Sequence, residues 1–195
     1  LKVPAALKRE EMIRRGQDDF GGEDRWWVSH PEALGKEALQ FLKMNNEYSE
    51  NGMHLFINGR LTYITGLHYS YLMWSKLKDG RFPKYWDSDR RWFYVWQACL
   101  EDPLCDGETF LKHRQGGLTS KACHIGAITV TTNKNSKVVI RDSMSLEHGL
   151  GAIWNPVLKP MYREWPMFMQ PMTPEKEWNE RGEMRFAAQL RRGKE

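Results

Sequence analysis

Long apolar runs are missing from this chain, and none approaches the ~20 residues needed to span a bilayer as a helix. Cysteine is scarce. Cys99, Cys105 and Cys123 form no C-x-x-C pair, and such a sparse, odd set points to a reducing compartment and away from a zinc site. The six histidines show no i, i+4 pair and no partner spacing, which leaves a zinc hydrolase or a nucleophilic triad without support. No secretory signal pattern is visible at Leu1-Lys2-Val3-Pro4, and no internal repeat is present. The first residue is Leu and the last residues are Arg191-Arg192-Gly193-Lys194-Glu195, so a piece of a longer chain is expected.

What is present is enough for a folded domain. The 195 residues are 41% apolar and include nine tryptophans, a composition that argues against disorder and for a real core. The formal charge is +4 and unevenly placed. Between Gly107 and Lys137 stand five cations (Lys112, Arg114, Lys121, Lys134, Lys137) and one anion, Glu108, so this stretch carries the whole net excess. That concentration suits a polyanion, whether nucleotide phosphate or DNA backbone, although a solvated helix face also carries lysines.

Periodicity sets out the elements. Residues 1–15 read as a charged amphipathic helix, followed by an acidic, glycine-bearing linker to Asp24. Ser29 and Pro31 suit the start of a helix whose apolar positions Ala38, Phe41 and Leu42 lead to an end at Asn45-Asn46. Two short strands, 53–57 and 61–64, flank Asn58-Gly59, a strong hairpin signal. A helix is expected over 67–77, with Tyr69, Leu72, Met73 and Trp74 suited to the core. Another is expected from Asp87 or Ser88 to just before Pro103, with Trp92, Trp96, Cys99 and Leu100 as its apolar stripe. Val138-Val139-Ile140 reads as a strand covered on both faces. Asp142, just beyond that run, falls where open α/β sheets bind ligands, while Ser143 or Ser145 suits a helix cap. The apolar pattern of 146–161 is helical but contains Gly149, Gly151 and Pro156, so a kink is expected near Asn155. The segment 165–174 is rich in methionine and proline and reads as irregular; 173–195 balances cations against glutamates as a solvated extension or sheet edge.

The stretch with the most chemistry is Thr109-Phe110-Leu111-Lys112-His113-Arg114-Gln115-Gly116-Gly117-Leu118-Thr119-Ser120-Lys121. It reads as a short strand, a basic glycine loop and a helix start. Glycines let main-chain N–H groups curl around an anion, and the helix directs its positive end at it. Against the pattern G-x-x-x-x-G-K-[ST] the match is partial. Gly117 and Thr119 occupy the second glycine and the hydroxyl, Leu118 stands where lysine belongs, and Lys112 stands at the first glycine. A lysine acts on phosphate as a mobile point charge, so Lys112 can serve from the front of the loop. The bland alternative is a basic surface turn. With 138–140, strand, loop, helix and strand make a βαβ unit, hence parallel strands and a right-handed crossover.

Arg114-Gln115-Gly116-Gly117-Leu118-Thr119 resembles the adenosine-triphosphatase loop of the large terminase subunit of tailed phages, some members of which carry the lysine at the front of the loop. Thr62-Tyr63-Ile64-Thr65-Gly66-Leu67-His68-Tyr69, the Asp89-Arg90-Arg91-Trp92-Phe93 helix start and Glu101-Asp102-Pro103 are similar too. The likeness covers about residues 51–171 and is greatest to terminases of gut-bacterial phages. The resemblance implies an α/β fold with a P-loop parallel sheet, here partial, preceded by N-terminal helices and the β-hairpin. It divides the chain into a helical linker region, 1–50, and the N-terminal part of the ATPase domain, 51–195. It implies ATP and Mg²⁺ as cofactors. Lys112 would neutralise the β/γ-phosphates, Gln115, Gly116, Gly117 and Leu118 would offer main-chain donors, Thr119 would ligand Mg²⁺, and Ser120 would add a hydroxyl. Arg114 would sense the γ-phosphate or brace the loop through a carboxylate. Tyr63 and His68, upstream of the loop, become candidates for the adenine, although aromatic residues at this spacing are more often core. The implied partners are double-stranded DNA, a portal protein, a small terminase subunit and further copies in a ring, with no membrane, in the cytoplasm of an infected bacterium.

An ATPase also needs an acidic residue on a neighbouring strand for Mg²⁺ and a carboxylate to orient water. No apolar run ending in Asp-Glu follows Thr119. The chain is therefore expected to hold nucleotide without hydrolysing it alone. Two other classes remain open from the residues: a non-enzymatic nucleic-acid binder using the basic stretch and stacking tryptophans, and another P-loop enzyme such as a helicase or kinase.

Overall fold

The computed structural model describes residues 35–57, 59–111, 117–133, 138, 150–166 and 169. They fall into two compact units. The first contains helix α1 (Lys36–Asn51), strands β1 (Met53–Ile57) and β2 (Arg60–Ile64), helix α2 (Gly66–Trp74) and helix α3 (Asp87–Glu101). The second contains residues 76–81, helix α4 (Leu118–Thr132), a π-helical segment (Leu150–Leu158) and the short helix α5 (Lys159–Arg163). The chain is thus α/β, and the sheet among the described residues is a two-stranded antiparallel hairpin.

In the first unit the hairpin follows from local pattern. β1 alternates buried and half-buried residues, and the register pairs Met53 with Ile64, Leu55 with Thr62 and Ile57 with Arg60. One face, with Met53, Leu55, Ile57 and Ile64, is buried. The other carries His54 and Tyr63, paired across the strands with ring centroids 5.3 Å apart. The expected strands lie within one residue of these bounds; Asn58 of the expected turn lies outside the described residues.

α1 runs past the expected stop at Asn45-Asn46 and ends only before Gly52, whose N–H donates to the Tyr48 carbonyl at 2.9 Å. It also crosses the expected domain boundary at residue 50 and packs against α2. The reason is tertiary. Asn45 is 2% exposed, and its Oδ1 accepts hydrogen bonds from Trp74 Nε1 at 2.8 Å and Tyr69 Oη at 3.3 Å. A polar residue that weakly favours helix ends is retained mid-helix because two buried donors need its oxygen.

α2 starts at Thr65, whose Oγ1 accepts the His68 N–H at 3.3 Å. It is buried on nearly all sides, with Tyr69, Leu72 and Trp74 in the core. Its first residue, Gly66, approaches α1 so closely that a Cβ there would sit 1.9 Å from the Ser49 carbonyl oxygen. α3 starts at Asp87, which accepts from Tyr85 Oη at 3.1 Å and Arg90 Nε at 3.0 Å and pairs with Arg91 at 3.3 Å. Its core residues are Trp92 and Phe93. The expected stripe is corrected at its far end: Trp96 and Cys99 are half-buried and Leu100 is 63% exposed.

A second correction concerns the approach to the glycine loop. Thr109–Leu111 forms no strand, and Leu111 is 95% exposed. A strand exists only against a hydrogen-bonded neighbour, and none lies beside it among the described residues. Phe110 instead sets its ring edge-on to Trp92, with centroids 6.3 Å apart. Of the other expected strand, Val138 is exposed and non-strand, while 139–140 and Asp142 lie outside the described residues. The expected N-terminal helix, 1–15, and the extension beyond 170 lie outside them too.

The second unit packs α4 against the π-helical segment. Cys123, Val157 and Met161 are buried together, with Ile153 and Leu158 against them. Where a kink is expected near Asn155, residues 150–158 form π-helical turns that contain Pro156. Proline removes a main-chain donor and crowds the preceding turn, and widening the helix relieves both.

Candidate functional site

The glycine loop enters α4 at Gly117. This residue adopts φ 66° and ψ 9°, a left-handed conformation that suits glycine, and it serves as the N-cap with no side chain to offer the first turn. α4 therefore begins with main-chain donors that its cap residue leaves to other acceptors. Its first regular bond runs from the Lys121 N–H to the Gly117 carbonyl at 3.3 Å. Gly117 and Thr119 are exposed, while Leu118 and Ser120 are half-buried. The positive end of a 15-residue helix, an exposed hydroxyl and a left-handed glycine thus come together.

Of the residues singled out in the sequence, the structure brings together Gly117, Leu118, Thr119 and Ser120 in the second unit. Lys112, Arg114, Gln115 and Gly116 lie outside the described residues. Tyr63 and His68 belong to the first unit. Tyr63 is half-buried and donates its hydroxyl to the Asn51 carbonyl at 2.9 Å. Partial burial, then the neighbouring Tyr94 and Glu101, raise its pKa. His68 is fully buried and stacks on Phe93 at 4.9 Å and Tyr85 at 5.6 Å. Its ring surface is occupied by core aromatic rings, so in this arrangement it packs the interior and presents no face to a base.

Two residues beside the loop were given no site role from sequence. Lys121 is 6% exposed, and a Cβ built on Gly117 would lie 3.8 Å from its Cε, so the lysine stem lies back toward the helix start. His124, one helical turn on, is fully buried, and burial lowers its pKa to about 3. Their i, i+3 spacing is a legible signal, because it places both on one face of the helix. Yet a buried lysine is rare enough that sequence assigns it to solvent.

Comparison with family models, with curated proteins and with solved structures finds no match to this chain.

Proposed function

We propose that the chain is the ATP-binding part of a viral DNA-packaging motor of the terminase large-subunit type, which couples ATP hydrolysis to DNA movement into a procapsid. One observation carries most of the reading. Directly after Arg114-Gln115-Gly116, a helix starts from a left-handed glycine with Thr119 exposed in its first turn. That is where a nucleotide phosphate is held by main-chain donors and helix dipole together. Among the described residues, what a Cβ on Gly117 would meet is the Lys121 stem, at an ordinary contact distance of 3.8 Å, so the group is not excluded there. Bound Mg-ATP would supply the phosphoryl group, and the chain's contribution is to hold it. Lys112 neutralises the β/γ-phosphates, residues 115–118 donate main-chain N–H groups, Thr119 ligands Mg²⁺, Ser120 adds a hydroxyl, and Arg114 senses the γ-phosphate or braces the loop. Lys121 adds positive charge beside Gly117. The parallel sheet, the DNA, portal and small-subunit partners, the ring assembly and the host cytoplasm belong to the same proposal. No helix of the described residues is long and apolar enough to cross a membrane.

Equilibrium dialysis against labelled ATP with Mg²⁺ tests the reading. The parent chain binds weakly, and Lys112→Ala lowers affinity by at least about tenfold, or 1.4 kcal/mol. Equal binding by parent and variant would remove the displaced lysine from the site. No binding by either, with the fold intact by circular dichroism, would remove the nucleotide.

A further inference from the structure

The stretch from Trp92 to Leu111 is an acidic island. It holds Glu101, Asp102, Asp106 and Glu108 and no lysine or arginine, in a chain of net charge +4. It also leaves Leu100, Leu104 and Leu111 exposed. Within it, α3 brings two indoles to one side, because Trp92 and Trp96 stand one turn apart, and their ring centroids are 5.3 Å from each other. After the helix the chain turns at Asp102, whose carbonyl accepts the Cys105 N–H at 3.1 Å and whose Oδ1 accepts the Leu104 N–H at 2.9 Å. It then comes back along α3, since the Phe110 ring reaches Trp92, with centroids 6.3 Å apart. Trp92 is covered, Trp96 is half-buried and Phe110 is 46% exposed. Two polar atoms of this stretch are buried with no hydrogen-bond partner among the described residues: the acceptor Glu108 Oε2, just before Phe110 in the chain, and the donor Trp96 Nε1. Buried polar atoms are normally paired.

We propose that the surface formed by Trp92, Trp96 and Phe110, with Glu108, docks an arginine side chain of a partner protein. Charge complementarity selects the occupant: a surface of aromatic rings and carboxylates without a cation of its own attracts a cation. A guanidinium is planar, stacks on aromatic faces and gains cation–π energy there, most of all from tryptophan. Its N–H groups supply Glu108 with charge-assisted hydrogen bonds. The main-chain carbonyl beside that arginine supplies the acceptor that Trp96 Nε1 needs, which a free amine could not. The exposed leucines suit apolar neighbours on the same partner, and arginine is enriched in the cores of protein interfaces. Both polar atoms are covered in the free chain, so docking moves a side chain, and Phe110 is the least covered of the three rings. The surface lies in the first unit and does not draw on the nucleotide reading.

The test is nuclear magnetic resonance of the full chain labelled at its indole nitrogens, with the Trp96 signal assigned from Trp96→Phe. N-acetyl-arginine amide is the probe, and N-acetyl-citrulline amide is its uncharged match in shape. The arginine probe should shift the Trp96 signal saturably, and the citrulline probe should bind at least about fivefold more weakly. Glu108→Gln should cut arginine binding by about fivefold or more, leave citrulline binding unchanged and leave the remaining indole signals in place, which shows the fold intact. Free arginine, whose own carboxylate meets the acidic residues, should bind more weakly than the capped probe. No saturable shift, equal binding of arginine and citrulline probes, or undiminished arginine binding by Glu108→Gln would each overturn the proposal. Tighter binding of free arginine than of the capped probe would point to a small metabolite and overturn it too.

Discussion

Asn45 Oδ1 accepts the Trp74 indole N–H at 2.8 Å, joining the middle of α1 to the last residue of α2. Tyr69 Oη adds a second donor to the same oxygen at 3.3 Å. One amide therefore serves two aromatic residues, each at most 1% exposed. Asn45→Leu keeps the branched shape and removes the acceptor that both donors use. Each buried hydrogen bond lost in this way costs about 1–3 kcal/mol, so the variant should lose about 2–6 kcal/mol in urea unfolding followed by tryptophan fluorescence. A loss below about 0.5 kcal/mol would mean that Asn45 does not organise this contact.

Gly66→Ala tests the approach of α2 to α1. Its Cβ would fall 1.9 Å from the Ser49 carbonyl oxygen, so one of the two backbones must move. Overpacking that needs backbone movement costs about 3 kcal/mol. At about 2–4 °C per kcal/mol for a chain of this size, the melting temperature should fall by roughly 6–12 °C. An unchanged melting curve would show that the helices separate freely.

Thr119→Ala should separate magnesium from phosphate. The hydroxyl is exposed in the first turn of α4, so its removal leaves the helix formed. In the proposed site the variant loses the Mg²⁺ enhancement of ATP binding while keeping the metal-free affinity within about twofold. Titration with and without Mg²⁺ decides this, and undiminished enhancement would remove Thr119 as the ligand.

His124 makes the second unit acid-sensitive. Burial lowers its pKa from 6.5 to about 3, so the folded chain favours the neutral ring. Below pH 6.5 the unfolded state takes up a proton that the folded state refuses, so stability is full above that pH and falls as pH drops toward 3. The slope for one group is at most about 1.4 kcal/mol per pH unit. Unfolding of the parent at pH 7 and pH 5 should differ accordingly, and the difference should shrink in His124→Phe. Equal pH dependence in the two proteins would place the effect elsewhere.

The basic stretch gives a salt-dependent prediction. Five cations between Gly107 and Lys137 should give duplex DNA binding a log–log salt slope of up to about −4.5. Filter binding of duplex and single strands measures it. A flat response would mean that these cations do not contact phosphates.

Much of the local structure was legible in the residues because its causes are local. Asn58-Gly59 between alternating runs announced the hairpin, and Asp87 and Pro103 bracketed α3. At the candidate site, the glycines and Thr119 announced a helix start, and α4 begins there. Leu100 and Thr109–Leu111 misled because apolar character does not say whether a neighbour exists to cover a side chain or pair a backbone. Lys121 and His124 were given no site role because a pattern within one helix does not say which polar side chain is buried beside the loop.

Sequence alone determined the turns, the helix starts and the residue types at the glycine loop, since these depend on φ preferences, hydroxyl caps and charges within a few residues. Tertiary structure alone decided that Asn45 lies inside α1, that His68 stacks in the core, and that Lys121 folds back beside Gly117. Those outcomes depend on distant groups competing for the same buried space and the same hydrogen bonds, and a periodic pattern carries no record of that competition.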